Sequence, residues 1–205
     1  MRRPGQRGFT LLELLLALAI VGALVAIALG GLRVAVAAWT QGEDRAEAHQ
    51  HLRGIAALLG RAVGGAYPYR ASPGPAPQPR VLFRGAADRL EFVTRTPPVA
   101  PPVAVAFSAV VLALDRTEPP ALVIRQRVLP NHEPFEEAAE VLRDPRVAEL
   151  AFHYLGPQGE WRESWEAERE GGELPRAVRI TLTARPPGQP PQRVRLTVPL
   201  RTVMP

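Results

Sequence analysis

The residues able to do chemistry are few and poorly spaced for catalysis. Histidine occurs four times, as His49, His51, His132 and His153, and cysteine does not occur at all. His49 and His51 stand two residues apart, which on a helix turns them about 200° from one another, so they make no helical metal pair. No H-E-x-x-H, G-x-S-x-G or phosphate-loop pattern is present. Glu136, Glu137 and Glu140 read as a solvated helix face, and no oxygen-rich loop has the spacing of a calcium-binding EF-hand. Without cysteine there are no disulfides, thiolate metal sites or cysteine nucleophiles. The expectation is a protein that is not an enzyme and needs no cofactor or metal.

One carboxylate stands in an unusual place. Glu13 directly precedes Leu14–Leu32, 19 residues drawn only from Leu, Ala, Ile, Val and Gly. A helix of that length is about 28 Å long, close to the hydrocarbon thickness of a bilayer. A charge at the centre of a span costs about 2.5–3.5 kcal/mol and less near its edge, so such residues are usually paired. Glu13 has no evident partner. The apolar run holds no basic residue, and Phe9 and Ala17, one helical turn away on either side, are uncharged. Snorkelling to the near interface is one reading.

A second reading starts from its neighbours. Glu13 closes the string Gly8-Phe9-Thr10-Leu11-Leu12-Glu13, behind a short leader carrying Arg2, Arg3 and Arg7. This string resembles the N-terminus of type IV prepilins and type II secretion pseudopilins. The resemblance implies that a membrane prepilin peptidase cuts between Gly8 and Phe9, and that Phe9 becomes an N-methylated first residue with Glu13 fifth. The new terminal amine supplies the missing cation. In the assembly the resemblance implies, the Glu13 carboxylate of an incoming subunit pairs with the terminal amine of a neighbour and fixes the axial stagger of their helices. A matched pair in low dielectric is far less costly than a lone charge.

The elements that must position these groups follow from composition. Proline is absent from position 5 through 67 although the chain has 23, which is consistent with one long helix. Trp39, Leu52, Ile55, Leu58, Leu59, Ala62 and Val63 continue a helical period among charged residues, and Gly64-Gly65 with Pro68 supplies the stop. Gly30-Gly31 reads as a bend or a packing point. The leader arginines put the N-terminus in the cytoplasm and the rest across the membrane in a single pass; the resemblance implies that this is the inner membrane and that the C-terminal part is periplasmic. A cleaved secretory signal, with Ala35-Val36-Ala37 as its site, is disfavoured because the apolar run exceeds the usual ~7–15 residues. The domain reading is a leader at 1–8, a membrane segment at 9–32, a soluble helical half at 33–66 and a β-rich head at 67–205.

Within the head, residues 68–80 read as a proline-rich extended connector. Leu90–Val93, Val103–Leu114 (one bent strand or two), Leu122–Leu129 and Val147–Tyr154 read as strands, and Glu136–Arg143 as a short helix. Val178, Ile180 and Leu182, then Val194, Leu196, Val198 and Leu200, alternate with polar residues around a proline-rich loop, which makes an antiparallel hairpin. The fold class is α+β, a type IV pilin-like long helix packed on an antiparallel head. Gly159-Glu160-Trp161, Trp165 and the run from Leu174 to Leu182 resemble the J-type minor pseudopilins of type II secretion. That resemblance implies a fibre-tip complex with I- and K-type minor pseudopilins, extending to the H-type and major pseudopilins. Trp161 and Trp165 are its candidate interface or core anchors.

The charge fits this reading. The formal +5 and sequence pI near 10.8 invite a nucleic-acid partner, and Arg179, Arg193 and Arg195 on the hairpin could form a basic face. Removal of the leader leaves 22 arginines against 20 acids, so the favoured reading has no nucleic acid. A minor pilin of a type IV pilus, or of a DNA-uptake pseudopilus, is the alternative.

Overall fold

In a computed structural model the described residues are 10–72, 78–102, 105–186 and 190–200. A single helix, α1 (Leu11–Gly64), precedes the strands. The chain divides into two compact units, Met1–Glu47 and Ala48–Pro205, so α1 contributes to both.

The strands, in order, are β1 (Arg70–Ala71), β2 (Arg80–Val81), β3 (Phe83–Gly85), β4 (Arg89–Thr94), β5 (Ser108–Asp115), β6 (Ala121–Val128), β7 (Ala139–Asp144), β8 (Val147–Leu155), β9 (Trp161–Arg162), β10 (Trp165–Glu166), β11 (Ala177–Ala184) and β12 (Gln192–Pro199). They pair antiparallel into a two-stranded ribbon β1-β2, a six-stranded sheet β10-β3-β4-β5-β6-β7 and a four-stranded sheet β12-β11-β8-β9. The result is α+β, a long N-terminal helix followed by antiparallel sheets.

One core joins the last turns of α1 to both larger sheets. Leu52, Leu59, Ala62 and Val63 are wholly buried against residues such as Phe92, Leu112 and Ile124 of the six-stranded sheet and Phe152, Ile180 and Leu182 of the four-stranded one. Their spacing of three, four and seven puts them on one helical face. The helix is stopped by backbone and side-chain chemistry together. Gly65 N–H bonds to Arg61 O at 3.1 Å, while the Thr94 and Thr96 hydroxyls donate to the Ala62 and Arg61 carbonyls at 2.7 and 2.8 Å. Thr94 thereby satisfies a last-turn carbonyl, and Thr96 adds a second bond to the Arg61 carbonyl that Gly65 already uses. A smaller apolar cluster, Leu82, Val93, Ala109 and Leu129, lies on the other face of the six-stranded sheet.

Two sequence expectations need correction. Glu136–Arg143 is not a helix: its second half is β7, paired to β6 with Leu142 opposite Ile124. Glu and Ala favour helix intrinsically, but pairing on the sheet overrides a weak propensity. A register shift between Ile124 and Arg125 also breaks the two-residue alternation that would have revealed the strand. The span read as one bent strand or two has its ordered strand at Ser108–Asp115, and Val103 and Ala104 lie outside the described residues. The C-terminal hairpin runs in continuous register from Ala177 opposite Pro199 to Ala184 opposite Gln192. Within the proline-rich connector, Arg70 and Ala71 pair with Val81 and Arg80.

Candidate functional site

Gly8 and Phe9 lie outside the described residues, so the geometry begins at Thr10. The Glu13 N–H donates to Thr10 Oγ1 at 3.3 Å, and the Glu13 carboxylate accepts from the Thr10 N–H at 3.4 Å. This reciprocal pair is a capping box, in which two otherwise unpartnered N–H groups of a helix start are satisfied. Sequence reasoning read Glu13 through its charge and missed the cap, although the Thr-x-x-Glu spacing carries it. Among the described residues no cation contacts Glu13. Its carboxylate is exposed and held only by its own first turn.

From that cap the helix presents an apolar surface that is unbroken from Leu14 to Leu32. Leu11–Thr40 has a mean hydropathy of 2.7 in its most apolar window, and none of that window is buried. Leu18, Ile27 and Val34 are each more than 70% exposed. Gly30 and Gly31 meet nothing within 4 Å of a built Cβ, and the helix runs through them without interruption. A surface of this extent is unstable in water and fits a bilayer or other apolar helices.

The two tryptophans have different surroundings. Trp165 is 3% exposed, and its Nε1–H donates to the Glu173 carbonyl at 3.0 Å, so it anchors the core beside β3. Trp161 is half-buried, with the Arg179 guanidinium 3.8 Å above its ring.

Of the head's ionisable groups, His51 and Glu91 are held in ion pairs, His132 is exposed, and the buried Nδ1 of His153 has no hydrogen-bond partner among the described residues. His51 Nε2 lies 2.6 Å from Asp144 Oδ2, joining α1 to the β7–β8 turn, whereas His49 is exposed. Glu91 is 2% exposed. Each of its oxygens is held by one arginine, Arg84 Nη2 at 2.7 Å and Arg89 Nη2 at 2.7 Å. Such an arrangement offsets the cost of burying the carboxylate. It sits in a cleft of about 500 Å³ between β2–β3 and the turns at 133–136 and 166–168. Alternation alone concealed this triad, because Glu91 looks like one outward residue among apolar ones. Burial pushes the Tyr154 hydroxyl well above its usual range, and that hydroxyl donates to the Ala86 carbonyl at 2.9 Å. Among the described residues no group of three histidines or acids could hold a metal ion.

The family model for type II secretion system (T2SS) protein J matches residues 30–197, and that for the prokaryotic N-terminal methylation motif matches residues 3–29. The chain belongs to the type II secretion system protein J family. It is 30% identical over 200 residues to type II secretion system protein J of Xanthomonas campestris pv. campestris, covering 95% of this chain and 94% of that one. It also resembles a chain in the crystal structure of the GspK-GspI-GspJ complex from the enterotoxigenic Escherichia coli type 2 secretion system. There the identity is 16% and the TM-score 0.48, over 75% of this chain and 97% of that one.

Membership makes the protein a minor pseudopilin of type II secretion, and it selects secretion over the pilus and DNA-uptake alternatives. The methylation-motif match covers the string that ends in Glu13 and much of the apolar run. Together with the helix long and apolar enough to span a bilayer, it points to membrane anchoring.

Proposed function

We propose that this minor pseudopilin enters the inner membrane with its N-terminus cytoplasmic, is cut by the prepilin peptidase between Gly8 and Phe9, and is N-methylated on Phe9. Extracted into a fibre, it joins I- and K-type minor pseudopilins in a tip complex that initiates assembly for protein export across the outer membrane. H-type and major pseudopilins follow below it. The role is non-enzymatic: contact surfaces carry it, with the head in the periplasm. J-type membership supports this reading, and one observation carries it. Glu13 begins a fully exposed apolar helix, with no cation near it among the described residues.

In a bilayer that carboxylate needs a positive partner, and the terminal amine of a neighbouring processed subunit is the group the motif creates. Removing one member of a pair buried in low dielectric costs about 3–5 kcal/mol. A Glu13→Ala chain should therefore still lose residues 1–8, as read by mass spectrometry of its N-terminus. Its recovery in the sheared fibre or tip complex should fall at least about tenfold. Processing at Gly8 with wild-type incorporation would sink the pairing role. Failure of the wild-type chain to be cut there would sink the maturation step.

A further inference from the structure

The four-stranded sheet turns one face to the core and leaves the other open. Arg193, Arg195 and Thr197 on β12 are exposed, and on β11 Arg179 and Thr181 are half-exposed. Thr181 stands opposite Arg195, Thr183 opposite Arg193 and Arg179 opposite Thr197. Residues two apart on a strand are about 6.8 Å apart, and diagonal neighbours across strands about 7–8 Å. Arg193, Arg195 and Arg179 therefore form a row with a repeat near 7 Å. Small threonines between them leave the Arg193 and Arg195 side chains exposed, while the Arg179 guanidinium lies over the Trp161 ring.

The row is short of counter-charge. The acid on this face, Glu149, is already bound by Arg185, which with the Thr183 hydroxyl and, more weakly, the charge of Arg193 holds its carboxyl below the usual range. Among the described residues Arg179, Arg193 and Arg195 have no carboxylate within salt-bridge distance, whereas Arg84, Arg89, Arg116, Arg127 and Arg143 each have one. Like charges side by side on a sheet destabilise the free domain. A partner bearing the opposite charge relieves that repulsion.

We infer that this open face docks an acidic strand or loop of a neighbouring, non-identical fibre subunit, whose carboxylates at alternate residues meet Arg193 and Arg195. The inference rests on the tip-complex reading above. β12 is the edge of its sheet, so the same partner segment can also pair with the strand's free backbone groups. The surroundings favour protein over the other polyanions. Trp161 is covered by Arg179, which leaves no bare aromatic platform for stacking bases. No exposed large apolar side chain flanks the row to enter a lipid surface: in the head only Val99 and Val141 are of that kind among the described residues, and both lie elsewhere.

The test uses full-length protein in detergent with full-length I- and K-type subunits, comparing wild type with Arg193→Glu/Arg195→Glu and Arg193→Gln/Arg195→Gln. The charge-reversed pair should weaken the complex at least about tenfold and the neutral pair less, with the salt sensitivity of the wild-type affinity reduced in both. Unaltered thermal melting of both variants separates docking from folding. Affinity unchanged in both variants overturns the inference and leaves the tip complex standing. So does arginine-dependent capture of duplex DNA, or of phosphatidylglycerol vesicles, while the subunit complex is untouched. No complex with the wild-type chain removes the tip-complex reading itself.

Discussion

The two ends of α1 are made from the same few residue types and put them to opposite uses. In Leu11–Thr40 the leucines, valines and isoleucines face outward all round. From Leu52 to Val63 the same residue types are confined to one stripe, with Arg53 and Arg61 on the other side, and the stripe is closed by two sheets. An apolar surface all round calls for a surrounding apolar medium, and an apolar stripe calls for a single partner surface. The first half of the helix is therefore stabilised by something outside the chain, and the second half by the chain itself.

The sharpest way to break this comparison is to shorten one leucine in each half. Leu59 has no exposed surface and packs in the central cluster, so Leu59→Ala should destabilise the fold by about 2–5 kcal/mol. Leu24 is 61% exposed, and Leu24→Ala should leave the melting of the head unchanged while weakening retention in membranes. Thermal melts of the full chain in detergent, followed by near-ultraviolet circular dichroism, report the stability of both variants, and their share in the membrane fraction of cells reports retention. Equal losses from the two substitutions would mean that the exposed half also packs on its own chain.

Glycine gives a second, smaller contrast. A Cβ on Gly65 would lie 2.0 Å from Thr96 Oγ1 and 2.8 Å from Thr94 Oγ1, the two hydroxyls that finish the helix. Gly65→Ala must displace them, and overpacking of this kind costs about 1–3 kcal/mol. Gly30→Ala meets nothing within 4 Å and replaces a poor helix former with the best one. It should leave the stability of the head alone, so any defect in fibre recovery would locate a neighbouring helix against Gly30. Melting midpoints and fibre yield of the two variants make the measurement.

These contrasts also show why some features were legible from sequence and others not. The membrane-length run, the helix stop at Gly64-Gly65 and the hairpin from Val178 to Leu200 are local patterns, fixed by composition, breaker residues and alternation. Glu13 stood out because a charge in an apolar run is conspicuous, yet its capping bond to Thr10 was overlooked because the electrostatic question dominated. β7 was misread because strand pairing is non-local and its register shift hides the alternation. The Glu91 triad depends on Arg84 arriving from β3 opposite Glu91, which spacing along the chain does not reveal, while Arg89 stands two residues before Glu91 on β4 itself. The open arginine row was visible as alternation, but its shortage of counter-charge needed the third dimension.

Carboxylates carry the comparison to its smallest expected effect. Glu13 finds only its own cap, whereas Asp115 in the head finds a complete set of partners within the chain. The Thr117 N–H donates to Asp115 Oδ1 at 3.0 Å, and Arg143 Nη2 lies 2.6 Å from Oδ2. The Thr117 amide foremost, then Arg143 and the Thr117 hydroxyl, hold the Asp115 carboxyl down to about 2. A carboxyl whose pKa is lower folded than unfolded binds protons more readily in the unfolded chain. It therefore stabilises the fold at every pH above its ordinary value, and that stabilisation fades as pH falls toward about 2. The difference in melting midpoint between wild type and Asp115→Asn should accordingly be small but constant from neutral pH down to about 5, then shrink steadily below about 4. Both are read in full-length protein by scanning calorimetry across that range. The site is exposed enough for salt to screen it, so added salt should narrow the neutral-pH gap as well. A gap that persists unchanged to the acid limit would mean that Asp115 acts through its hydrogen-bond geometry alone. The head would then owe no stability to the charge of that group, and its contrast with Glu13 would rest on shape rather than on electrostatics.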